Sequence, residues 1–240
     1  MSILSYEMLK NLKPGEFAVY NYIMSHMESI PSMNIRELAE ATGVSTTTVM
    51  RFCERAGCAG YTELKYRIKC GMSEHRGKIN YDVVPALQFI KNSEQDELFR
   101  EKLAEVSEFI TQSAQVVFSG DREGRAIARY GAYLFNHTGK MAFLCEGENG
   151  SACPCKDLRS VLFLLSASGK EEEIVSLANR YKEAGAFVVS ITNTEQCPVA
   201  SMSDVGFACY MPETYRREMG AVRTSQLPAV YILECLAALI

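Results

Sequence analysis

Three threonines and two arginines stand close together in the first third of the chain, with a spacing suited to nucleic-acid chemistry. Thr46, Thr47 and Thr48 are consecutive, and Arg51 and Arg55 follow about a helical turn apart. At the start of a helix, hydroxyls and unpaired amides can bind phosphate, and guanidinium groups can donate to base edges in the major groove. The set therefore predicts a DNA-reading face, although a solvated helix surface has the same composition.

The residues around this set carry the signals of two short helices joined by a tight turn. Asn34 is a suitable cap for the first helix, with Glu37 three residues later as in a capping box. Gly43 allows the turn, and Ser45 can cap the second helix. The pattern predicts a helix-turn-helix, although any helical hairpin shares it. The residues predicted to contact DNA are Arg36, Ser45, Thr46, Thr47, Thr48, Arg51, Arg55 and Lys65.

Flanking segments favour a compact helical bundle around this hairpin. A helix is expected from Pro14 to about Met24, because proline suits a first turn and apolar residues recur at helical spacing. After the hairpin, the segment 60–69 alternates packing residues with Lys65, Arg67 and Lys69, which add positive charge.

A second candidate site lies in a different kind of sequence. From Gln115 onward, short apolar runs alternate with helical patterns, which predicts a parallel sheet covered by helices on both faces, an α/β three-layer sandwich. Ser166-Ala167-Ser168-Gly169 leaves the apolar run 161–165 and enters a helical pattern. Its hydroxyls and amides therefore converge where such folds bind anions, for example a phosphate.

The charge distribution separates the two halves of the chain. The 240 residues carry a formal charge of −4 and are 48% hydrophobic, which is ordinary for a globular protein. Residues 1–80 contain ten Lys and Arg against eight Asp and Glu, and the remainder contains fifteen against twenty-one. The small positive excess lies in the predicted DNA-binding half, so we expect binding to require a dimer and a specific site.

Nine scattered cysteines and the absence of a signal peptide predict a reduced, cytoplasmic protein. Cys145, Cys153 and Cys155 could be read as a thiolate cluster, but neither a second CxxC pair nor a nearby histidine accompanies them. We therefore expect no metal and no cofactor. No stretch is long and uncharged enough to span a membrane.

Residues 1 to about 75 resemble the N-terminal domain of RpiR-type transcriptional regulators. The signature of that family is a leucine-alanine helix, a "VS…TV.RF" segment and then "G..G(F/Y).E.K". The resemblance implies a double-stranded DNA operator as partner and carbohydrate metabolism as the regulated process. The matching residues are Val44-Ser45, Thr48-Val49, Arg51-Phe52, Gly57, Gly60-Tyr61 and Glu63-Leu64-Lys65.

Residues from about 105 to 240 are similar to a SIS domain, the phosphosugar-binding module that follows the helix-turn-helix in these regulators. The matching positions include the Ser166 loop with Glu173, and Asp204 before the last strand. The resemblance implies that Ser166 and Ser168 hold the phosphate of a sugar effector. The ligand-binding set that it implies is Gly120, Arg122, Ser166, Ser168, Gly169, Lys170 and Glu173.

Two positions depart from the SIS pattern. Gly124 stands where the first loop of the family usually has a serine, and Glu171 stands where the second loop commonly continues with a threonine. Asp121, Glu123 and Glu171 would repel a phosphate, whereas Arg122, Arg125 and Lys170 would attract one. The pocket therefore either takes a phosphosugar or another effector, or has lost its ligand and serves as a dimer scaffold.

A SIS-fold sugar-phosphate isomerase is the alternative enzyme class. Such an enzyme needs a base, often a histidine, near the sugar carbons. Only His26, His75 and His137 are present, and none is expected near the ligand loops, so we expect a regulator with no catalytic residues.

The expected architecture is an all-α helix-turn-helix bundle followed by the α/β sandwich. The predicted divisions are a DNA-binding domain at 1–75, a linker and connecting helix at 76–104, and a SIS-like domain at 105–240. A polar linker is expected at 71–80, and an apolar last helix at about 221–240 is expected to be buried and to contribute to a homodimer or higher oligomer.

Overall fold

The computed structural model describes residues 11–27, 29–74, 83–145, 159–212, 214–216 and 221–240. Helices precede the first strand, and strands and helices alternate after it. In chain order the elements are α1 (Pro14–Ser25), a 3-10 turn (Ile30–Ser32), α2 (Ile35–Ala41), α3 (Thr46–Arg55), α4 (Tyr61–Glu74), α5 (Val84–Gln95), α6 (Glu97–Gln112), β1 (Gln115–Gly120), α7 (Arg122–His137), β2 (Ala142–Leu144), β3 (Ser160–Leu165), α8 (Glu172–Glu183), β4 (Phe187–Thr192), α9 (Pro198–Met202), β5 (Val205–Ala208), β6 (Thr214–Arg216), β7 (Ala221–Arg223) and α10 (Leu227–Ala238).

The contacts between these elements divide the described residues into two compact units. The first unit holds those up to Phe89 together with the segment Tyr210–Ser225. The second unit holds Ile90–Cys209 and Gln226–Ile240. The boundary between Phe89 and Ile90 falls within α5.

The first unit is a helical bundle with an apolar interior. Val19, Tyr20 and Ile23 of α1 are fully buried, as are Leu38 of α2 and Phe52 of α3. In α1, Ile23 follows Val19 by four residues and Tyr20 by three, which places the three side chains on one face. The bundle predicted from the sequence is confirmed.

The second unit contains a five-stranded parallel sheet in the order β2-β1-β3-β4-β5. Every residue of the central strand β3 is buried, which is why its sequence is apolar from Val161 to Leu165. Helices from both sides cover the sheet; Phe135 of α7 and Tyr181 of α8 are fully buried. The α/β sandwich with a parallel sheet is confirmed.

The C-terminal segment differs from the sequence prediction of one helix over about 221–240. Strands β6 and β7 form an antiparallel pair, in which Tyr215 is opposite Val222, and α10 begins only at Leu227. Pro228 lies in the first turn of α10, where a missing amide costs nothing. The burial expected for this helix is found at Ile232, Leu233 and Leu236.

The antiparallel pair belongs to the first unit. Chain contacts join β6 to α1, and the ring of Tyr210 meets that of Phe17 edge-on, with 6.1 Å between the centroids. The expected domain boundaries assigned these residues to the second domain. Strand β6 is far from α1 in sequence. No periodic pattern near α1 therefore indicated that the two elements would be in contact.

The predicted linker 71–80 also differs in part. Helix α4 continues to Glu74, so residues 71–74 are helical. The rest of the predicted linker, which includes His75 and Lys78, lies outside the described residues.

Candidate DNA-reading face and effector loop

Both helices of the helix-turn-helix begin at the caps expected from the sequence. Asn34 Oδ1 accepts hydrogen bonds from the amides of Arg36 and Glu37 at 2.9 and 3.1 Å, and the Asn34 amide donates to Glu37 Oε2 at 2.8 Å. Gly43 adopts φ +64°, which favours glycine. Ser45 Oγ accepts from the Thr48 amide at 3.2 Å and caps α3.

The outer surface of α3 presents most of the polar side chains predicted to meet DNA. Thr46, Thr47 and Arg51 are exposed, and Arg36 is exposed on α2. Neither Arg36 nor Arg51 forms an ion pair with any residue in the described ranges. Thr48 is only half-buried, and its hydroxyl lies 3.0 Å from Ser45 Oγ. We call Thr46, Thr47 and Arg51 the reading face.

Arg55, also predicted to contact DNA, is exposed, but its guanidinium is paired with other residues of the first unit. Its Nε lies 3.1 Å from Glu16 Oε2, and its Nη1 donates to the Asn11 carbonyl at 2.9 Å. Glu16 is only 1% exposed and also accepts from the Lys13 amide at 2.9 Å. A buried carboxylate needs such a partner. The geometry therefore gives Arg55 a structural task.

Lys65, another predicted DNA contact, holds the entry to the helix-turn-helix. Its Nζ donates to the Met33 carbonyl at 3.1 Å, and the Tyr61 hydroxyl donates to the same oxygen at 3.2 Å. Burial raises the pKa of Tyr61 to about 12, so its hydroxyl keeps the proton that it donates. Both residues therefore tie α4 to the residue that precedes Asn34. The sequence did not reveal this contact with the Met33 carbonyl.

Arg67 and Glu63 fix the junction between α3 and α4. Arg67 Nη2 donates to the Gly57 carbonyl at 2.9 Å and to Glu63 Oε1 at 2.6 Å. Glu63 Oε2 accepts from the Ala59 amide at 2.7 Å, and Gly57 adopts φ +67°. The "G..G" part of the sequence signature is thus explained by helix capping rather than by contact with DNA.

In the second unit, the loops after β1 and β3 lie side by side, because these strands are parallel neighbours. Gly120 is in register with Leu165, and the Asp121 amide donates to the Leu165 carbonyl at 3.2 Å. The loop of residues 166–171, which we call the effector loop, therefore begins next to Asp121.

Ser166 is buried in the effector loop and both of its hydrogen-bonding roles are in use. Its hydroxyl donates to Asp121 Oδ2 at 2.7 Å and accepts from the Gly169 amide at 2.9 Å. Ser166 is only 1% exposed. Ser168 is exposed, and its Oγ accepts from the Lys170 amide at 3.3 Å. The predicted phosphate-binding hydroxyl of Ser166 is thus directed at a carboxylate of the chain itself.

The backbone of the effector loop is tightly constrained. Gly169 adopts φ +59°, and a Cβ atom built there would lie 2.3 Å from Cys197 Sγ. The Gly169 carbonyl accepts from the Val199 amide at 3.2 Å, and the Ala167 carbonyl accepts from the Asn193 amide at 2.9 Å. These contacts require glycine at position 169.

Charged side chains of both signs surround Asp121. Arg122 Nη2 lies 3.1 Å from Glu171 Oε1 and so joins the two loops. Burial raises the pKa of the Asp121 carboxyl above its usual value; Glu171 acts in the same direction, and the Ser166 hydrogen bond and Arg122 oppose it. Lys170 is exposed, as is Glu173 in the first turn of α8.

Gly120 and Gly124 pack so closely against β3 that neither position has room for a side chain. A Cβ atom at Gly124 would lie 2.0 Å from the Leu165 carbonyl oxygen, and one at Gly120 would lie 2.6 Å from the Gly124 backbone. A serine at position 124, which the SIS pattern favours, is incompatible with this backbone. Gly120 contributes close packing and no polar side chain to the predicted ligand set.

One cysteine of the candidate thiolate cluster, Cys145, lies within the described residues. Cys145 is buried, and burial raises the pKa of its thiol; Cys153 and Cys155 lie outside the described residues. Among the residues described, no group of three or more His, Cys, Asp or Glu could hold a metal ion. No helix in the described part of the chain is long and apolar enough to cross a membrane.

Family models match both halves of the chain. The helix-turn-helix domain of the rpiR family matches residues 4–75, and the SIS domain matches residues 109–237, more than half of the chain. The chain belongs to the RpiR-type regulators. The two matched segments are the ones that carry the reading face and the effector loop.

Individual relatives agree with this assignment. An uncharacterized HTH-type transcriptional regulator of Caldanaerobacter subterraneus subsp. tengcongensis is 26% identical over 97% of this chain and 88% of its own length. The solved structure of the Vibrio vulnificus NanR protein complexed with ManNAc-6P is 21% identical, with a TM-score of 0.52 over 96% of this chain and 87% of that chain.

A third similar structure shows how widely the fold is used. A hypothetical protein of Methanococcus jannaschii, whose structure is described as inferring a 3-hexulose-6-phosphate isomerase function, is 18% identical. Its TM-score is 0.52 over 65% of this chain and 85% of that chain. The SIS fold is therefore compatible with regulators and with isomerases, and only the site can distinguish them.

Proposed function

We propose that this RpiR-type protein binds an operator through the reading face and that its SIS unit senses a sugar phosphate. The observation that carries the first part is the exposure of Thr46, Thr47 and Arg51 on one helix, with Thr46 and Thr47 in its first turn. The N-terminal residues of such a recognition helix are those that reach base edges.

The geometry of α3 assigns different tasks to its polar residues. Ser45 closes the first turn, and the hydroxyls of Thr46 and Thr47 stand beside it at the end of the helix that favours phosphate. Arg51, one turn further along, supplies a guanidinium suited to the O6 and N7 of guanine.

We expect two copies of the chain to act together. A net excess of two positive charges in residues 1–80 gives little affinity for arbitrary DNA, so one reading face makes a weak binding site. Two recognition helices on two half-sites would supply the missing contacts. A homodimer is therefore part of the proposal.

The effector class is proposed from the SIS unit. The NanR structure, which shares the fold at 21% identity, was solved with ManNAc-6P. In this chain, the exposed Ser168 and Lys170 lie at the carboxyl end of β3, where α/β folds bind ligands. These features support a sugar phosphate as the effector.

An isomerase activity receives less support from the site. In the described part of the second unit, the only histidine is His137, at the last residue of α7, whereas the effector loop adjoins the first residue of that helix. Its Nδ1 lies 2.9 Å from the Tyr133 carbonyl oxygen. An aldose–ketose conversion assay with pentose and hexose phosphates tests the enzyme directly, and turnover would displace the regulator proposal.

The decisive experiment for DNA binding compares two arginine variants in a mobility-shift assay with the promoter next to the gene. We expect Arg51→Ala to weaken binding by roughly tenfold or more, because a base contact is lost. Arg100→Ala, which removes the same charge from exposed α6 in the second unit, is the control and should bind like the wild type. Equal affinity of Arg51→Ala and wild type would refute the reading face.

A further inference from the structure

The position of Asp121 has a consequence for any ligand of the effector loop. A serine hydroxyl has one proton, and the proton of Ser166 is donated to Asp121 Oδ2. An ionised carboxylate can only accept hydrogen bonds, so this assignment of donor and acceptor is fixed while Asp121 is charged. Ser166 therefore cannot donate to a phosphate as long as that contact exists.

The carboxylate is held in place by the backbone on both sides. The Asp121 amide is bonded to the Leu165 carbonyl, and neighbouring Gly120 and Gly124 leave no space between the first loop and β3. Small shifts of this loop would produce close contacts. Asp121 is thus a fixed part of the site rather than a mobile surface group.

The nearby positive charges do not cancel this carboxylate completely. Arg122 is shared with Glu171 at 3.1 Å, and the Lys170 side chain is exposed. A phosphoryl group placed at Ser166 would meet a like charge at hydrogen-bond distance from the same hydroxyl, which disfavours binding.

We propose that Asp121 competes with the phosphoryl group of a ligand for the Ser166 hydroxyl. This competition determines how tightly the second unit holds a phosphorylated ligand. The inference rests on the proposed effector class. Asp121 accepts the hydrogen bond that a phosphoryl oxygen would otherwise accept from Ser166, so a phosphorylated effector contacts this hydroxyl only when the hydroxyl turns away from the carboxylate. The effector concentration at which the regulator responds is raised accordingly.

The test measures ligand affinity of the full chain by isothermal titration calorimetry, with inorganic phosphate, glucose 6-phosphate and glucose as probes. We expect Asp121→Ala to bind both phosphorylated probes about tenfold more tightly than the wild type, because Ser166 is freed to donate. Asp121→Asn keeps the size of the side chain and removes its charge, so it should gain affinity in the same direction. Affinity for glucose should not change.

Two further variants locate the effect. Glu172→Gln removes a carboxylate from the first turn of α8 without contact to Ser166, and it should bind the probes like the wild type. Adding Ser166→Ala to Asp121→Ala should abolish the gain. Unchanged affinity in both Asp121 variants, or a gain that survives Ser166→Ala, would overturn the proposal.

The failure of this inference can be separated from failure of the proposed function. The mobility-shift assay reports DNA binding by Arg51 and does not depend on Asp121. If DNA binding is confirmed and no phosphorylated probe binds even to Asp121→Ala, the proposed role of Asp121 is refuted. The proposal of a sugar phosphate as effector is refuted as well, while the operator-binding role remains.

Discussion

The starts of α3 and α8 both follow a loop with serines, yet they differ in what already occupies them. At α3, Ser45 caps the helix and Thr46 and Thr47 remain exposed. Before α8, Ser166 is buried and its hydroxyl is bonded to Asp121. Residue types suited to phosphate therefore mark an open surface in the first unit and an internally satisfied loop in the second.

The same contrast exists among the arginines. Arg51 is exposed, whereas Arg55 on the same helix is paired with the buried Glu16, and Arg122 is paired with Glu171. A guanidinium can read DNA or bind phosphate only if the fold leaves it available. Availability, rather than residue type, distinguishes the reading face from the effector loop.

The largest loss of stability is expected from placing the serine of the SIS pattern at position 124. Gly124→Ser places a side chain 2.0 Å from the Leu165 carbonyl oxygen, so we expect the free energy of unfolding to fall by about 3 kcal/mol or more. Urea denaturation followed by circular dichroism measures it. Ala126→Ser, at an exposed position of the same helix, is the control.

A stable Gly124→Ser protein that bound phosphate more tightly would break the contrast between the two regions. It would show that the first loop can open and that the effector loop is not closed by its own backbone.

An intermediate effect is expected from Arg55→Ala. The variant leaves Glu16 buried without its ion-pair partner, so the free energy of unfolding should decrease by about 1–3 kcal/mol. Arg51→Ala, from an exposed position on the same helix, should change stability by less than about 0.5 kcal/mol. Urea denaturation distinguishes the two. Equal stability of both variants would mean that the Glu16 ion pair contributes little to the fold and that Arg55 is available to contact DNA.

The smallest effect concerns the pH dependence of stability at Asp121. Folding raises the pKa of this carboxyl, mainly through burial, so the folded state loses stability as the pH rises through its titration. Asp121→Asn removes that loss and should be more stable than the wild type at pH 7, with a smaller difference at about pH 4, near the usual pKa of the group.

Chemical denaturation at the two pH values provides the measurement, with Glu172→Gln as the matched control for loss of a carboxylate. A wild type that is as stable as Asp121→Asn at pH 7 would mean that the carboxylate is not penalised in the loop, and the two regions would then differ less than we infer.

Local signals predicted much of this structure. The caps at Asn34 and Ser45 and the turn at Gly43 were all visible in the sequence, because each depends on residues within one helical turn. The strands β1, β3 and β4 were visible because burial on both faces gives each of them a run of at least three consecutive apolar residues. The family resemblance located both candidate sites.

Distant pairs were not predicted, since nothing in a local pattern identifies their partners. Lys65 and Met33 are 32 residues apart, and Ser166 and Asp121 are 45 apart. One signal could have helped: Glu16 is the only charged residue of the mainly apolar helix α1, which suggests a buried carboxylate in need of a cation. The strand pair β6 and β7 had no comparable signal.

The sequence by itself determined the helix-turn-helix, the parallel sheet of apolar strands and the kinds of residue at both sites, since periodicity and capping act over a few residues. The tertiary structure decided which of those groups remain available. A hydroxyl or guanidinium satisfied within the fold must lose that hydrogen bond before it can bind a ligand, and its partner is brought close only by packing. For this reason Arg51 remains exposed on the reading face, whereas the Ser166 hydroxyl is already bound to Asp121.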